Sequence, residues 1–341
     1  MPRTKRPLQF CLAACAALTC TISMPAREIT CATCHRAEAQ SQPRNAMGRA
    51  TELPADQDIL KAHPKLTFQK DGYIYSVERK GGHSVYTVRD GTGELSLPIE
   101  YAMGVHNQTF VLQYQGHFYE SQVSYFERLQ GLEITLGDEK RTPHNLVEAM
   151  GRETPNKEIT ECFACHATNA VHQRKLTLDS LQPGVTCEHC HTGARAHMQA
   201  IAQGKTAPLP ANLDLLGAED MSNFCGQCHR TWAAIVRLRE WGNVNVRFAP
   251  YRLANSECFL GDDRRIRCVA CHNPHESLAR DPAAYDHACL ACHRSAPQKS
   301  CPISHDRCVT CHMPKVALAG SHAIFTDHQI RVVHPGDAYP N

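Results

Sequence analysis

Between residues 65 and 136 apolar and polar positions alternate with a period of two, as in strands that bury one face. Tyr73-Ile74-Tyr75-Ser76-Val77 alternates, as does Tyr86-Thr87-Val88. Phe110 to Tyr114 and Phe118 to Phe126 flank Gln115-Gly116, which reads as a hairpin, and Asp71-Gly72, Gly81-Gly82 and Asp90-Gly91 are turn signals. The pattern predicts a small antiparallel β module over residues 65–140, inserted into a chain of otherwise different character. Residues 141–334 read as helices with long loops. Trp232 to Trp241 forms one of the helices, and Gly204 to Pro210 is a Pro-containing linker. No regular repeat is present. Residues 335–341 form a tail.

The N-terminus has its own pattern. Arg3, Lys5 and Arg6 precede a short apolar run from Leu8 to Ile22, with small residues near Ser23 and Ala26. This reads as an export signal over residues 1–26. The run is too short for a membrane span, and no other stretch predicts a transmembrane segment. Leu12-Ala13-Ala14-Cys15 also has the lipobox pattern, in which Cys15 would carry a lipid anchor.

Seven Cys-x-x-Cys pairs are each followed directly by histidine: Cys31/Cys34/His35, Cys162/Cys165/His166, Cys187/Cys190/His191, Cys225/Cys228/His229, Cys268/Cys271/His272, Cys289/Cys292/His293 and Cys308/Cys311/His312. They are called motifs 1 to 7. Cysteines at i and i+3 and a histidine at i+4 share one face of a helical turn. Such a turn can hold a porphyrin edge by two thioether bonds and aim one imidazole at the iron. This is the attachment motif for c-type haem. Half-zinc sites or redox dithiols explain the cysteine pairs but not the histidine. Histidine is 21 of 341 residues, so seven matches out of seven by chance have a probability on the order of 10^-9 against a motif that requires it. The sequence therefore predicts seven covalent haem c groups. Thioether attachment also needs an exported chain, in agreement with the signal.

Motif 1 stands alone, about 130 residues ahead of a block of six between Cys162 and His312. Two further cysteines, Cys258 and Cys301, could pair as a disulfide in an oxidising compartment or stay as separate thiols. The formal charge is only +2, with both signs interspersed. Two propionates per haem would make the holoprotein acidic, and nothing points to nucleic acid. Apolar content is modest, so porphyrin is expected to complete the core.

Fourteen histidines lie outside the motifs, enough for bis-histidine iron throughout. The better candidates for sixth ligands are His172, His197, His275, His322 and His328. His172 and His197 follow motifs 2 and 3. His275 is thrown outward by Pro274, and His322 and His328 follow the last motif. His83, His117 and His334 read as surface residues. Motif 1 has no histidine in the following Gln40 to Ala50 but does have Met47. Its haem would be bound by Met47, by a remote histidine such as His63, or be five-coordinate.

Glu161 to Thr168, Gly184 to His191 with His197, Cys271 to His275, Cys311 to Lys315 and Phe325 to His328 resemble segments of bacterial multihaem c-type cytochromes. That superfamily includes the tetrahaem carrier of ammonia oxidisers, pentahaem nitrite reductase and octahaem hydroxylamine oxidoreductase. The resemblance implies a mainly α fold of stacked haems with long loops. It also implies that His197, His275, His322 and His328 are distal ligands. No motif here ends in lysine, as the active haem of the nitrite reductases does. The expected function is electron transfer along a haem chain in a bacterial respiratory or redox pathway. The protein would lie in the periplasm or at the cell surface, with a membrane quinol-oxidising complex or other cytochromes as redox partners. The alternative is an oxidoreductase acting on a small nitrogen or sulfur compound at an open haem 1, served by Arg44, Lys61 or His63.

Overall fold

The computed structural model describes residues 29–259, 263–294 and 301–340. The expected export signal and lipid-anchor residue Cys15 lie outside the described residues.

The alternating region forms strands that extend beyond the expected insert. The strands are β1 (Thr51–Glu52), β2 (Lys65–Lys70), β3 (Tyr73–Lys80), β4 (His83–Arg89), β5 (Glu94–Met103), β6 (Asn107–Tyr114), β7 (His117–Ser121), β8 (Val123–Phe126), β9 (Gly131–Ile134) and β10 (Gly151–Thr154). They make one ten-stranded antiparallel sheet with the path β10-β7-β6-β5-β4-β3-β2. β1 pairs with β5 and β10 covers the edge of β7, so residues on both sides of 65–140 join the module. β8 pairs with β6 and β9, and β9 returns against β2, curling the sheet around its core. Tyr73, Tyr75 and Val77 of β3 and Tyr86 and Val88 of β4 point inward, as the alternation predicts. Asp71-Gly72 and Gln115-Gly116 both take positive φ at their two central residues, the tight hairpin conformation. The expected strand Phe118 to Phe126 breaks at Gln122, whose N–H donates to the Met150 carbonyl instead of a ladder partner.

The helices are short: α1 (Arg36–Ser41), α2 (Asp58–Ala62), α3 (Leu146–Met150), α4 (Asn156–His166), α5 (Cys187–Cys190), α6 (Ala194–Ala202), α7 (Ala218–His229), α8 (Trp232–Leu238), α9 (Ala249–Ala254), α10 (Cys268–Cys271), α11 (Asp286–His293) and α12 (Val309–His312). Small two-stranded antiparallel sheets pair β11 (Ala167–Thr168) with β14 (Gln182–Pro183), β12 (Val171–His172) with β13 (Lys175–Leu176), and β15 (Lys315–Leu318) with β16 (Ala323–Thr326). Helix therefore does not dominate as the mainly α expectation had it. The β module is a large one, and the motif-bearing part has few long helices because each motif needs only one turn. Among the described residues no helix is long and apolar enough to cross a membrane.

The main core lies inside the curled sheet, closed by Leu60 of α2 and Ala149 and Met150 of α3. A second cluster sits on the sheet's outer face. There Phe163 of α4 packs edge-on against Tyr101 at 5.0 Å and meets Phe118 at 6.5 Å. This contact fixes motif 2, at the end of α4, onto the β module.

Candidate functional site

Each motif occupies a helical turn. Motifs 2, 4 and 6 end α4, α7 and α11; motifs 3 and 5 fall on the single turns α5 and α10, and motif 7 on α12. Motif 1 begins with a 3-10 turn, Cys31–Thr33. The turns are closed by the motif itself. The N–H of His35, His191, His272 and His312 donates to the carbonyl of the first cysteine at 2.8, 2.9, 2.9 and 3.1 Å. That bond puts both thiols and the imidazole on one side.

Several imidazoles have Nδ1 fixed by a backbone carbonyl. His166 Nδ1 donates to Ala50 at 3.0 Å and His312 Nδ1 to Arg331 at 2.9 Å. Outside the motifs, His197 Nδ1 donates to Pro208 at 2.8 Å and His328 Nδ1 to Thr326 at 3.0 Å. A carbonyl can only accept, so the proton sits on Nδ1 and the Nε2 lone pair is left for a metal. Burial pushes the His328 imidazole down to about 4, which keeps it neutral, the form that ligates.

Two of the candidate histidines face motif histidines. The His275 ring lies parallel to that of His191, 7° apart in plane, with ring centres at 6.1 Å. His328 faces His272 at the same 6.1 Å, with an interplanar angle of 50°. Two imidazoles bound at about 2.0 Å each to one metal ion hold their centres roughly 6 Å apart. The donor set and its spacing thus fit haem iron between each pair.

The other candidates are placed differently. His322 packs edge-on to Phe126 at 5.1 Å, at the tip of the β15–β16 hairpin. His172 is exposed, and its Nε2 meets Ser180 Oγ at 3.2 Å. His83, His117 and His334 are exposed. His63 meets the Tyr125 hydroxyl at 3.3 Å, Lys61 bonds the Asp56 carbonyl at 3.0 Å, and Arg44 is exposed. The partners of His63 and Lys61 thus lie outside motif 1. No disulfide joins Cys258 to Cys301.

Motif 1 is not the isolated outlier that its position in the chain suggested. Cys31 Sγ meets Met198 Sδ at 3.6 Å, just beyond motif 3, and Cys31 also meets Cys187. The histidine-free segment after motif 1 is a scaffold. Gln42 Nε2 donates to the Val185 carbonyl, Val185 N–H donates to Met47 O at 2.9 Å, and Asn45 donates to Pro274 O at 2.8 Å. Gly184 takes φ +73° where its backbone abuts the Gly48 carbonyl, so no side chain fits there.

The remaining motifs also neighbour one another in series. Cys190 of motif 3 lies near Cys225 and Cys228 of motif 4. Cys165 of motif 2 bonds the Gln227 carbonyl at 3.8 Å and meets Cys228. Cys225 of motif 4 meets Cys268 of motif 5. His287 of α11 bonds the Ala270 carbonyl at 3.2 Å, tying motif 6 to motif 5. Asp286 accepts from the N–H groups of Arg307 and Cys308 at 2.6 and 2.9 Å, tying motif 6 to motif 7. A cavity of about 200 Å3 separates the sheet from α4, bordered by Glu120, Arg152, Cys162 and His166.

Residues 121–192, which hold motifs 2 and 3, match the family model described as cytochrome c554 and c-prime. Motifs and match together support a multihaem c-type cytochrome with covalently bound haem c. The outer cell wall cytochrome OcwA aligns over 89% of this chain and 78% of its own, at 16% identity and a TM-score of 0.45, a likeness that does not define a shared fold. No curated protein matches the chain.

The carbonyls of Ala50, Pro208, Thr326 and Arg331 escaped the sequence reading. Backbone acceptors leave no side-chain signature, whether far along the chain from the imidazole, as Ala50 is from His166, or close to it, as Thr326 is to His328.

Proposed function

We propose that this protein is an exported heptahaem c-type cytochrome that transfers electrons between redox partner proteins. The observation that carries this reading is the pair of facing imidazoles, His191 with His275 and His272 with His328. Iron held by imidazoles from both sides in this way would suit electron transfer over substrate chemistry. Haem c supplies one-electron iron chemistry when bound. The chain's own residues attach it, aim the ligands and set the spacing. Cys31, Cys34, Cys162, Cys165, Cys187, Cys190, Cys225, Cys228, Cys268, Cys271, Cys289, Cys292, Cys308 and Cys311 would form the thioethers. His35, His166, His191, His229, His272, His293 and His312 would be the proximal ligands. His275 would complete haem 3 and His328 haem 5, with His197 and His322 serving others. His172, turned to Ser180, fits this role least. The contacts between motifs support the order 1–3–4–5–6–7, with motif 2 joining at motif 4. The basic and apolar N-terminal pattern supports export to the periplasm or cell surface.

The test is the oxidised spectrum of the purified holoprotein with and without cyanide, alongside its intact mass. Low-spin, unreactive iron with seven haems in the mass is expected. A large high-spin, cyanide-binding fraction would favour a catalytic site, and a smaller mass increment would remove the count of seven.

A further inference from the structure

The segment after β16 carries His328 past motif 5 and Arg331 past motif 7, and it is held by one arginine that lies outside every haem motif. Arg252 on α9 and Asp327 are both completely buried. Arg252 Nε donates to Asp327 Oδ1 at 2.8 Å and Nη2 to Oδ2 at 3.0 Å, a bidentate grip. The other guanidinium donors reach Gln329 Oε1 at 2.7 Å, the Pro340 carbonyl at 2.9 Å and Asn245 Oδ1 at 3.4 Å. The guanidinium also lies 4.5 Å over the Tyr339 ring. Asp327 is filled in turn by Arg331 Nη1 at 2.6 Å and Gln329 N–H at 3.0 Å. A buried ion pair is costly unless its donors and acceptors are met; those of Arg252 and Asp327 are, and this fixes one backbone geometry.

The residue thereby fixed is His328, next to Asp327. Ser256, four residues from Arg252, supports it further: its hydroxyl donates to the His328 carbonyl at 3.2 Å and accepts from Ile330 N–H at 2.8 Å. The same network holds Arg331, whose carbonyl receives the proton of His312 Nδ1.

We propose that Arg252 is a positioning residue for two haem irons. Through Asp327 it holds His328 opposite His272, and through Arg331 it sets the hydrogen bond on His312. The inference rests on His328 being the sixth ligand of haem 5. Haems 5 and 7 would respond together to a change at a residue outside both motifs.

The test compares holoproteins of Arg252→Lys, Asp327→Asn and His328→Ala, each checked by mass for its full complement of haems. Lysine keeps the charge but loses the planar fork, and asparagine keeps the volume of Asp327 if the lysine variant does not fold. Expected for Arg252→Lys or Asp327→Asn is a new high-spin signal amounting to one haem per chain, returned to low spin by added imidazole, with shifted midpoint potentials for two haems. A purely structural role would lower the melting temperature and leave the spectrum low-spin. If His328→Ala becomes high-spin while both other variants stay low-spin, the positioning role is overturned and the ligand assignment stands. If His328→Ala itself stays low-spin, the ligand assignment fails.

Discussion

At the scale of single residues, the structure discriminates among histidines that look alike in sequence. Position after a motif singled out His172, His197, His275, His322 and His328, but proximity in the chain is a poor guide to the iron served. His275 lies three residues beyond His272 yet faces His191 of motif 3, because Pro274 and the Asn273 turn direct it across the molecule. Replacing His275 with alanine is therefore expected to give one high-spin haem per chain, reversed by imidazole. Adding Cys187→Ala and Cys190→Ala, which remove the attachment of haem 3, should abolish that high-spin signal. Its persistence in the triple variant would assign His275 to another iron. The motif residues stand out in the sequence, since thioether attachment would dictate both their identity and their spacing. The carbonyl partners of the imidazoles were not, since any residue can supply a carbonyl.

At the scale of elements, alternation located β3 and β4 and the turn residues located their hairpins, because both signals act between near neighbours. The pairing of β1 with β5 and of β10 with β7 depends on contacts between distant segments, which no local pattern records. The docking of α4 on the sheet is of the same kind and rests on Phe163, which is fully buried. Truncating Phe163 to alanine should cost about 3–5 kcal/mol, read as a lower midpoint in denaturant unfolding of the holoprotein. A loss below about 1 kcal/mol would mean that the haem rather than this aromatic contact fastens motif 2. The joint between α11 and motif 7 depends on charge. Burial works to raise the Asp286 carboxyl, but the N–H donors of Arg307 and Cys308 win and hold it below the ordinary 3.8. A carboxyl lowered on folding contributes stability fully above its unfolded value, and loses it as pH falls through the lowered folded value. Asp286→Asn should therefore lower stability at pH 7 and make unfolding less steeply dependent on pH below about 4. An unchanged acid limb would remove Asp286 from that role.

At the scale of the whole molecule, the chain order of the motifs misleads. The long gap after motif 1 sets it apart from the other six, yet Cys31 lies beside motif 3, and the segment after it is bonded to His166 of motif 2 and to Val185 and Pro274, just outside motifs 3 and 5. The gap was read as distance because sequence separation is all that a sequence displays. The intervening β module folds on itself and returns the chain close to where it left. The resulting neighbourhood is branched. Motif 4 meets motifs 2 and 5 and lies near motif 3, whereas motifs 1 and 7 lie at the ends of the series. Electron exchange falls steeply with separation, so the loss of a junction should matter more than the loss of an end. Removing haem 4 with Cys225→Ala and Cys228→Ala is expected to divide the remaining haems into groups that equilibrate slowly with one another. Removing haem 7 with Cys308→Ala and Cys311→Ala should leave a single connected set. After rapid partial reduction, the first variant should then approach its final spectrum in separate fast and slow phases, and the second in one fast phase. Equal behaviour of the two variants would refute the branched order. A slow phase only on loss of haem 7 would place the junction elsewhere.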